Sequence, residues 1–436
     1  MQPRLFKTEA VFMQLCVEFS KKSAIFFVYF NKFDFFRKIT LNITRFMLKY
    51  IMQNIIGGQF SMSNNGSAHT PHGDLAIIPM KGCEKFADMV NYYLTSSRGM
   101  PGDHSYIIKP DLIRFGTGEA KAVLNHTARG IDAYIICDCF NYGVTYKMYG
   151  MEVPYSPDDH FQDLKRVIAA MGGKASRVTV IMPMLYEGRQ HRRTARESMD
   201  CAMALQELTH MGVKNIITFD AHDPRVQNAI PLDGFDNVQA TYQMIKALKK
   251  TVPDIEFDRE KAMMISPDEG GMSRALYYSS VLGLNLGMFY KRRDYSVVID
   301  GKNPILAHEF LGDSVEGKDM IVVDDMIASG GSMFDVAAQL KSRGAGRIFI
   351  FSTFGLFVNG FAKFDEYYEK GIIDKIFTTN LIYSPPGLEE KEWYCNVNMS
   401  KYVALLVDTL NLDNSISKLL DPVDRINRLL GKQLTF

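Results

Sequence analysis

From residue 74 onward, short apolar runs alternate with longer amphipathic stretches. Short apolar runs are typical of buried strands, and amphipathic stretches are typical of surface helices, so the alternation predicts an α/β protein with parallel sheets. The predicted strands are Leu75–Pro79, Ala133–Cys137, Val178–Met182, Ile216–Asp220, Ala262–Ser266, Leu286–Tyr290, Met320–Asp325, Arg347–Thr353 and Lys375–Thr379. The predicted helices are Asp159–Met171, Ser198–Met211, Val238–Lys250, Gly271–Leu282, Met333–Arg343 and Ser400–Leu410, and the tail contains a further amphipathic stretch, Pro422–Leu430.

The segment PLDGFDN at residues 231–237 interrupts this alternation. It predicts a division into two α/β halves, residues 74–235 and 236–399, each a mainly parallel sheet flanked by helices. Residues 400–436 are predicted to form a C-terminal helix and tail. In open parallel sheets, ligands bind at the carboxyl ends of the strands, so we expect polar side chains at those positions to form the site.

Residues 1–73 differ in composition, because residues 1–61 are rich in phenylalanine and basic residues. The longest apolar run, Ala24–Phe30, is far shorter than the roughly 20 residues that span a bilayer. A basic, aromatic segment can lie on a membrane surface. We favour an N-terminal extension that is non-native or disordered, with the working protein beginning near Met62.

The net charge bears on the kind of partner, and the cysteine content bears on the cellular compartment. The formal net charge of +1 gives no field that favours nucleic acid or an anionic membrane. The six cysteines are scattered, and Cys137 and Cys139 lie in an apolar strand rather than in a metal-binding pair. Reduced packing thiols are typical of the cytoplasm. We therefore predict a cytoplasmic protein that binds neither nucleic acid nor membranes.

The segment MIVVDDMIASGGS at residues 320–332 carries the strongest signal. A buried strand ends in Asp324 and Asp325, and a small-residue loop then begins a helix. Free backbone N–H groups and the helix dipole bind phosphate at such a turn, while the two carboxylates can accept hydrogen bonds from sugar hydroxyls. The segment predicts a sugar-phosphate site, and the alternative is an ordinary strand–turn–helix.

Basic side chains follow two other predicted strands. Arg189 and Gln190 lie in a cationic loop that suits a polyphosphate, although such a loop is often only a solvated surface. Lys291 and Arg293 follow the strand that ends at Tyr290, and alternate positions share a face. Two cations there would stabilise charge on a transferring phosphoryl group.

Metal-ligand types follow two further strands. Asp220 and His222 are two residues apart at a strand end, and Asp268 precedes a glycine turn. A carboxylate and an imidazole can flank a divalent cation, directly or through its waters. A capping acid with an incidental histidine explains the first pair equally well.

Taken together, these motifs resemble the ribose-phosphate pyrophosphokinase family, from about Asp74 to Leu410. The order is RFGTGEA at residues 114–120, Arg189-Gln190, Asp-x-His, Ser-Pro-Asp-x-Gly-Gly, Lys-x-Arg and the sugar-phosphate loop. Phosphoribosyltransferases share only the last of these. The resemblance implies two similar phosphoribosyltransferase-like domains in a homo-oligomer (a hexamer or a dimer-based assembly), with an ATP site shared between subunits.

The resemblance also implies a role for each matching residue. ATP contacts fall to Phe115, Thr117, Gly118, Glu119, Arg189 and Gln190; catalysis to Lys291 and Arg293; ribose 5-phosphate binding to Arg293, Asp324, Asp325, Ala328, Ser329, Gly330, Gly331 and Ser332; and Mg²⁺ binding to His222 and Asp268, with Asp220 close by.

The implied reaction is attack of the C1 hydroxyl of ribose 5-phosphate on the β-phosphorus of ATP, giving phosphoribosyl pyrophosphate and AMP for nucleotide biosynthesis. The alternatives are a phosphoribosyltransferase and a catalytically inactive regulatory relative. The chain departs from the family pattern at Ala328, where many relatives carry an acid, and at Ser329 and Ser332, which replace threonine. Residues 144–156 and the tail after Asn411 have no obvious counterpart.

Overall fold

The computed structural model describes residues 71–293 and 305–431, with backbone only for residues 291–293 and 305–308. In chain order the strands are β1 Asp74–Pro79, β2 Asp111–Arg114, β3 Ala120–Val123, β4 Ile131–Ile136, β5 Thr145–Met148, β6 Met151–Pro154, β7 Arg177–Ile181, β8 Asn215–Phe219, β9 Gly234–Val238, β10 Ala262–Ser266, β11 Asn285–Arg293, β12 Ile305–Leu311, β13 Asp319–Ile327, β14 Ile348–Gly355, β15 Lys375–Thr379 and β16 Tyr394–Val397. The helices are α1 Glu84–Ser97, α2 Pro157–Met171, α3 Asp200–His210, α4 Thr241–Thr251, α5 Met272–Leu282, α6 Gly331–Ser342, α7 Ala362–Glu369, α8 Ser400–Asn411, α9 Ser417–Leu420 and α10 Val423–Leu429, with a 3₁₀ turn at Pro224–Ala229.

The first half is built on a parallel sheet in the order β1-β4-β7-β8-β9. Its central strands are almost wholly buried on both faces, as helices on the two faces require. Helix α2 begins at a capping box in which Ser156 and Asp159 satisfy each other's backbone N–H groups, and it ends at the left-handed Gly172.

The second half contains a sheet in the order β12-β11-β10-β13-β14-β15-β16, parallel except for the β11–β12 pair. Every strand predicted from the apolar runs is present, with ends that differ by a few residues. The predicted α/β class with two similar domains is therefore confirmed.

Some elements were not predicted. Helix α1 follows β1, and strand β9 spans the predicted boundary between residues 235 and 236 while pairing with β8 of the first sheet. Residues 144–156, which lack a family counterpart, form the β5–β6 hairpin.

The two halves share one hydrophobic core, which runs from β1 and β4 through β8 to β13, β14 and α8. Helix α8 follows the second sheet in sequence but packs against α1 of the first half. None of the helices in the described residues has the length and hydrophobicity that spanning a bilayer requires.

Candidate active site

The carboxyl ends of β8 and β13 meet where the two halves join. His222, just beyond β8, contacts Asp325 of β13 with 2.6 Å between Nδ1 and Oδ2. The hydrogen bond to Asp325 raises the pKa of His222 despite burial. Burial favours the neutral form of Asp325, but the bond from His222 and the charge of Arg274 outweigh it and lower the pKa of this carboxyl. The contact fixes the ring of His222 and leaves Nε2 available.

Asp220 forms a buried ion pair. The Nε atom of Arg274, on α5, lies 2.8 Å and 2.9 Å from the two carboxylate oxygens of Asp220, and Thr353 Oγ1 donates to Asp220 Oδ2 at 2.6 Å. Asp220 is buried and adopts a left-handed backbone conformation with φ of 43°. Both oxygens contact protein groups, so Asp220 acts as the counter-charge of Arg274.

Two other carboxylates of the predicted site, Asp324 and Asp268, lie in the second half. Asp324 Oδ1 is 3.7 Å from Arg274 Nη1, and burial together with the neighbouring Asp325 raises the pKa of Asp324 well above its usual range. Asp268 accepts a hydrogen bond from Gly271 N at 3.1 Å through one oxygen. Asp324 keeps an exposed edge, whereas Asp325 is buried against His222, so Asp324 is the better placed of the two to accept from a sugar hydroxyl.

The loop before α6 has the form of an anion site. Gly330 caps the helix with φ of 85°, and a Cβ atom there would collide with the Phe364 ring and lie 2.9 Å from the Phe334 ring. The N–H of Phe334 bonds to Gly330 O, whereas the N–H groups of residues 331–333 have no backbone acceptor among the described residues. They are available to an anion at the positive end of the helix dipole.

A cleft of about 880 Å³ opens beside His222. Arg189, Gln190 and His222 line it, so the structure brings the predicted cationic loop to the predicted metal ligand. His191 also lines the cleft; its ring centroid is 5.5 Å from that of His222, and its Nε2 is 3.5 Å from Asp223 Oδ2. The strand-end pattern identified neither His191 nor Arg274 as a site residue.

Known proteins match the chain across both halves. A family model described as the N-terminal domain of ribose phosphate pyrophosphokinase matches residues 75–212, and a phosphoribosyl transferase domain matches residues 234–391. A ribose-phosphate pyrophosphokinase from Wolinella succinogenes is 30% identical over 274 residues, which cover 62% of this chain and 78% of the relative. This chain belongs to the ribose-phosphate pyrophosphokinase family. The family is one of transferase enzymes.

Two further ribose-phosphate pyrophosphokinase comparisons extend the match. The enzyme from Vibrio cholerae is 27% identical over 321 residues, covering 72% of this chain and 92% of the relative. A crystal structure of phosphoribosylpyrophosphate synthetase from Mycobacterium smegmatis superposes with a TM-score of 0.63 at 19% identity, covering 78% of this chain and 100% of that chain. This second comparison supports the two-domain fold.

The ATP-contact residues that the ribose-phosphate pyrophosphokinase pattern implies lie in two places. Arg189 and Gln190 line the cleft, whereas Phe115, Thr117, Gly118 and Glu119 form the turn between β2 and β3 and are not among the residues lining it. Thr117 Oγ1 donates to Glu119 at 3.0 Å within that turn. One described subunit therefore does not place all the predicted ATP contacts around one cleft.

Lys291 and Arg293 lie on the last part of β11, where their backbones pair with His308 and Ile305 of β12. The pattern placed them just after a strand, but β11 continues through Arg293. Their side chains lie outside the described residues, as do residues 1–70 of the predicted extension.

Proposed function

We propose that this chain is an ATP-dependent ribose-phosphate pyrophosphokinase, which transfers the β,γ-diphosphoryl group of ATP to the C1 hydroxyl of ribose 5-phosphate and releases AMP. The observation that carries the proposal is the 2.6 Å contact between His222 and Asp325. It joins the cationic cleft of the first half to the sugar-phosphate loop of the second half, so both substrates would meet at one junction.

Ribose 5-phosphate would bind at the loop after β13. The N–H groups of Gly331 and Ser332, with the hydroxyls of Ser329 and Ser332, would donate to the phosphate. Asp324 would accept from a ribose hydroxyl. Ala328 offers no side-chain contact here, and its carbonyl oxygen already accepts from Val358 N at 3.0 Å.

ATP would bind with its phosphates at Arg189 and Gln190. Since Phe115, Thr117, Gly118 and Glu119 lie outside that cleft, we propose that they reach the nucleotide held by a neighbouring copy of the chain, in a homo-oligomer. Free cysteines in the described part of the chain are in keeping with a cytoplasmic enzyme.

The described residues fit Mg²⁺ in part. They contain no group of three side chains arranged as metal ligands. Mg²⁺ usually takes only one or two protein ligands and completes its shell with water and substrate phosphates. His222 through Nε2 and Asp268 through its second oxygen would hold it, whereas Asp220 is occupied by Arg274. When bound, the ion would neutralise phosphate charge.

Catalysis would rest on alignment and charge rather than on a covalent nucleophile. Lys291 and Arg293 would approach the transferring diphosphoryl group from β11, with Arg293 also contacting ribose 5-phosphate. Their charges would stabilise negative charge that builds on the phosphoryl oxygens in the transition state.

The test is to supply the full chain with ATP, ribose 5-phosphate and Mg²⁺ and to measure AMP and phosphoribosyl pyrophosphate. We expect equal, sugar-dependent yields of the two. Lys291→Ala should abolish turnover while the circular dichroism spectrum stays unchanged, and Lys246→Ala, at an exposed position on α4, should keep full activity. A folded wild-type chain that makes neither product would instead indicate an inactive regulatory relative.

A further inference from the structure

The β5–β6 hairpin turns through Tyr149 and Gly150, with Met148 paired to Met151. Both turn residues have positive φ, 49° for Tyr149 and 81° for Gly150. This geometry is a type I′ turn, for which Asn-Gly is strongly preferred. A tyrosine at the first position strains the backbone, because its Cβ is crowded at positive φ. The chain therefore keeps an aromatic side chain where asparagine would give a more stable turn.

The hairpin is fixed against the turn that carries Phe115. The N–H of Tyr149 donates to Gly116 O at 2.8 Å. Gly118, with φ of 92°, packs against Met148 of the hairpin, since an added Cβ would lie 2.8 Å from Met148 Sδ. The two turns thus form one unit.

The Arg114 side chain connects this unit to helix α2. Its guanidinium lies 4.8 Å from the ring centroid of Tyr146 and 4.6 Å from that of Tyr155. It also pairs with Asp159 and Asp163 of α2, at 3.1 Å in each case. Strand β2, the hairpin and α2 are therefore held together by one nearly buried cation.

The unit carries two aromatic side chains, Phe115 and Tyr149, that are exposed to solvent. Phe115 is 47% exposed and Tyr149 is 72% exposed. Within the described residues, neither ring contacts another aromatic ring, and the Tyr149 hydroxyl has no hydrogen-bond partner. Two outward rings on adjoining, supported turns offer flat apolar faces rather than a packed core.

We infer that Tyr149 binds the purine base of ATP beside Phe115, as a second aromatic contact supplied by the inserted hairpin. This inference rests on the proposed function, which assigns Phe115 to the nucleotide. Stacking on an aromatic ring contributes about 1–3 kcal/mol per base. That gain explains why the strained turn retains tyrosine.

The test compares Tyr149→Asn, which suits the turn but lacks the ring, with Tyr149→Trp, which restores an aromatic face. Asparagine should raise the KM for ATP about 5- to 160-fold, the range that the stacking energy gives, while kcat and the KM for ribose 5-phosphate stay within about twofold. Tryptophan should restore the wild-type KM. Met151→Ala, an exposed apolar residue on the same hairpin, should change none of these values.

Inhibition by inorganic tripolyphosphate distinguishes binding of the phosphates from binding of the base. It should inhibit the wild type and Tyr149→Asn with equal inhibition constants, because it has no base. An unchanged KM for ATP in Tyr149→Asn, or a Tyr149→Trp variant that stays impaired, would overturn the inference. So would a change of oligomeric state in sedimentation velocity, since the ring would then be a contact between copies of the chain.

Binding titrations keep the two proposals distinguishable. If the wild type makes no phosphoribosyl pyrophosphate, the proposed activity fails, but calorimetric titration of ATP with Mg²⁺ still tests Tyr149. Weaker ATP binding by Tyr149→Asn alone would support the inference, and equal binding by both proteins, or none to either, would reject it.

Discussion

At the scale of single residues, the ion pair between Asp220 and Arg274 gives the sharpest prediction. Asp220→Asn would leave a buried guanidinium without its main counter-charge, and removing one partner of such a pair costs about 3–5 kcal/mol. The nearby Asp325, whose negative charge also acts on Arg274, offers partial compensation, so we expect a loss of about 3 kcal/mol in the free energy of unfolding. Urea unfolding measures it.

The matched control is Asp254→Asn, which removes an exposed partner of Arg347 and should cost under about 1 kcal/mol. Calorimetric Mg²⁺ binding in the presence of ATP gives the second measurement. The affinity should be unchanged in Asp220→Asn if Asp220 only holds Arg274. A variant that keeps its stability but loses Mg²⁺ would restore Asp220 as a metal ligand.

A second residue-scale prediction concerns Asp138, whose carboxylate accepts from Phe140 N at 2.9 Å and from Tyr383 N at 2.7 Å. Burial raises the pKa of Asp138 from 3.8 to about 6. Between those two pH values the folded state holds a proton that the unfolded state has released. The unfolding free energy should therefore fall as pH rises through this window, by up to about 3 kcal/mol from this group.

Asp138→Asn removes the titration. The difference in unfolding free energy between wild type and variant, measured in urea at pH 4.5 and pH 7, should shift in favour of the variant at the higher pH. The asparagine side chain has only one acceptor oxygen in place of two, so the variant loses one of the two backbone hydrogen bonds. This loss is the same at both pH values and cancels in the comparison. A difference independent of pH would mean that Asp138 ionises normally in the folded protein.

At the scale of elements, the start of α6 depends on glycine at position 330. Gly330→Ala adds a Cβ against the Phe364 and Phe334 rings at a positive φ. Strain and collision together should cost about 2–4 kcal/mol of unfolding free energy. The KM for ribose 5-phosphate should also rise, because the loop N–H groups would move.

Gly360→Ala is the matched control, since Gly360 also has positive φ, 72°, but no atom of the described residues beyond its two chain neighbours lies within 4 Å of an added Cβ. This variant should lose only the free energy that the strained backbone costs, about 1 kcal/mol of unfolding free energy. Its KM for ribose 5-phosphate should stay unchanged. Equal losses of unfolding free energy in the two variants would show that the Phe334 and Phe364 rings move aside without a measurable cost.

The elements that the sequence predicted are those with a strong local signal. Apolar runs such as Ala133–Cys137 are buried along their whole length, so they predict strands without knowledge of the fold. Strands β2, β3, β5 and β6 were not predicted, because they are short and only partly buried. Helix α1 was also missed, and Cys83 before it makes no side-chain cap.

The candidate site shows the same limit. The placement of His222, Asp268 and Asp324 after apolar runs was enough to predict that they gather at strand ends. The partner of each was not predictable, because Arg274 lies 54 residues from Asp220 and Asp325 lies 103 residues from His222. Such pairs depend on how the two halves pack.

At the scale of the whole molecule, polar contacts of α8 join the two halves. Asn411 is fully buried and donates to Asp132 Oδ2 at 2.9 Å and to Gly73 O at 3.1 Å. Arg98 of the first half donates to Asn411 and to Asp408. With the core shared between the sheets, these contacts predict that neither half unfolds without the other.

The single tryptophan, Trp393, makes this cooperativity measurable, since it is buried in the second half. Its fluorescence and the hydrogen exchange of β4 in the first half should report the same denaturant midpoint. Asn411→Ala leaves Asp132 and Arg98 each short of a partner, so it should lower both midpoints together, by about 1–3 kcal/mol in unfolding free energy. Lys418→Ala, at an exposed position, should shift neither. Separate midpoints, or a shift in β4 alone, would mean that the halves unfold as independent domains despite their common core.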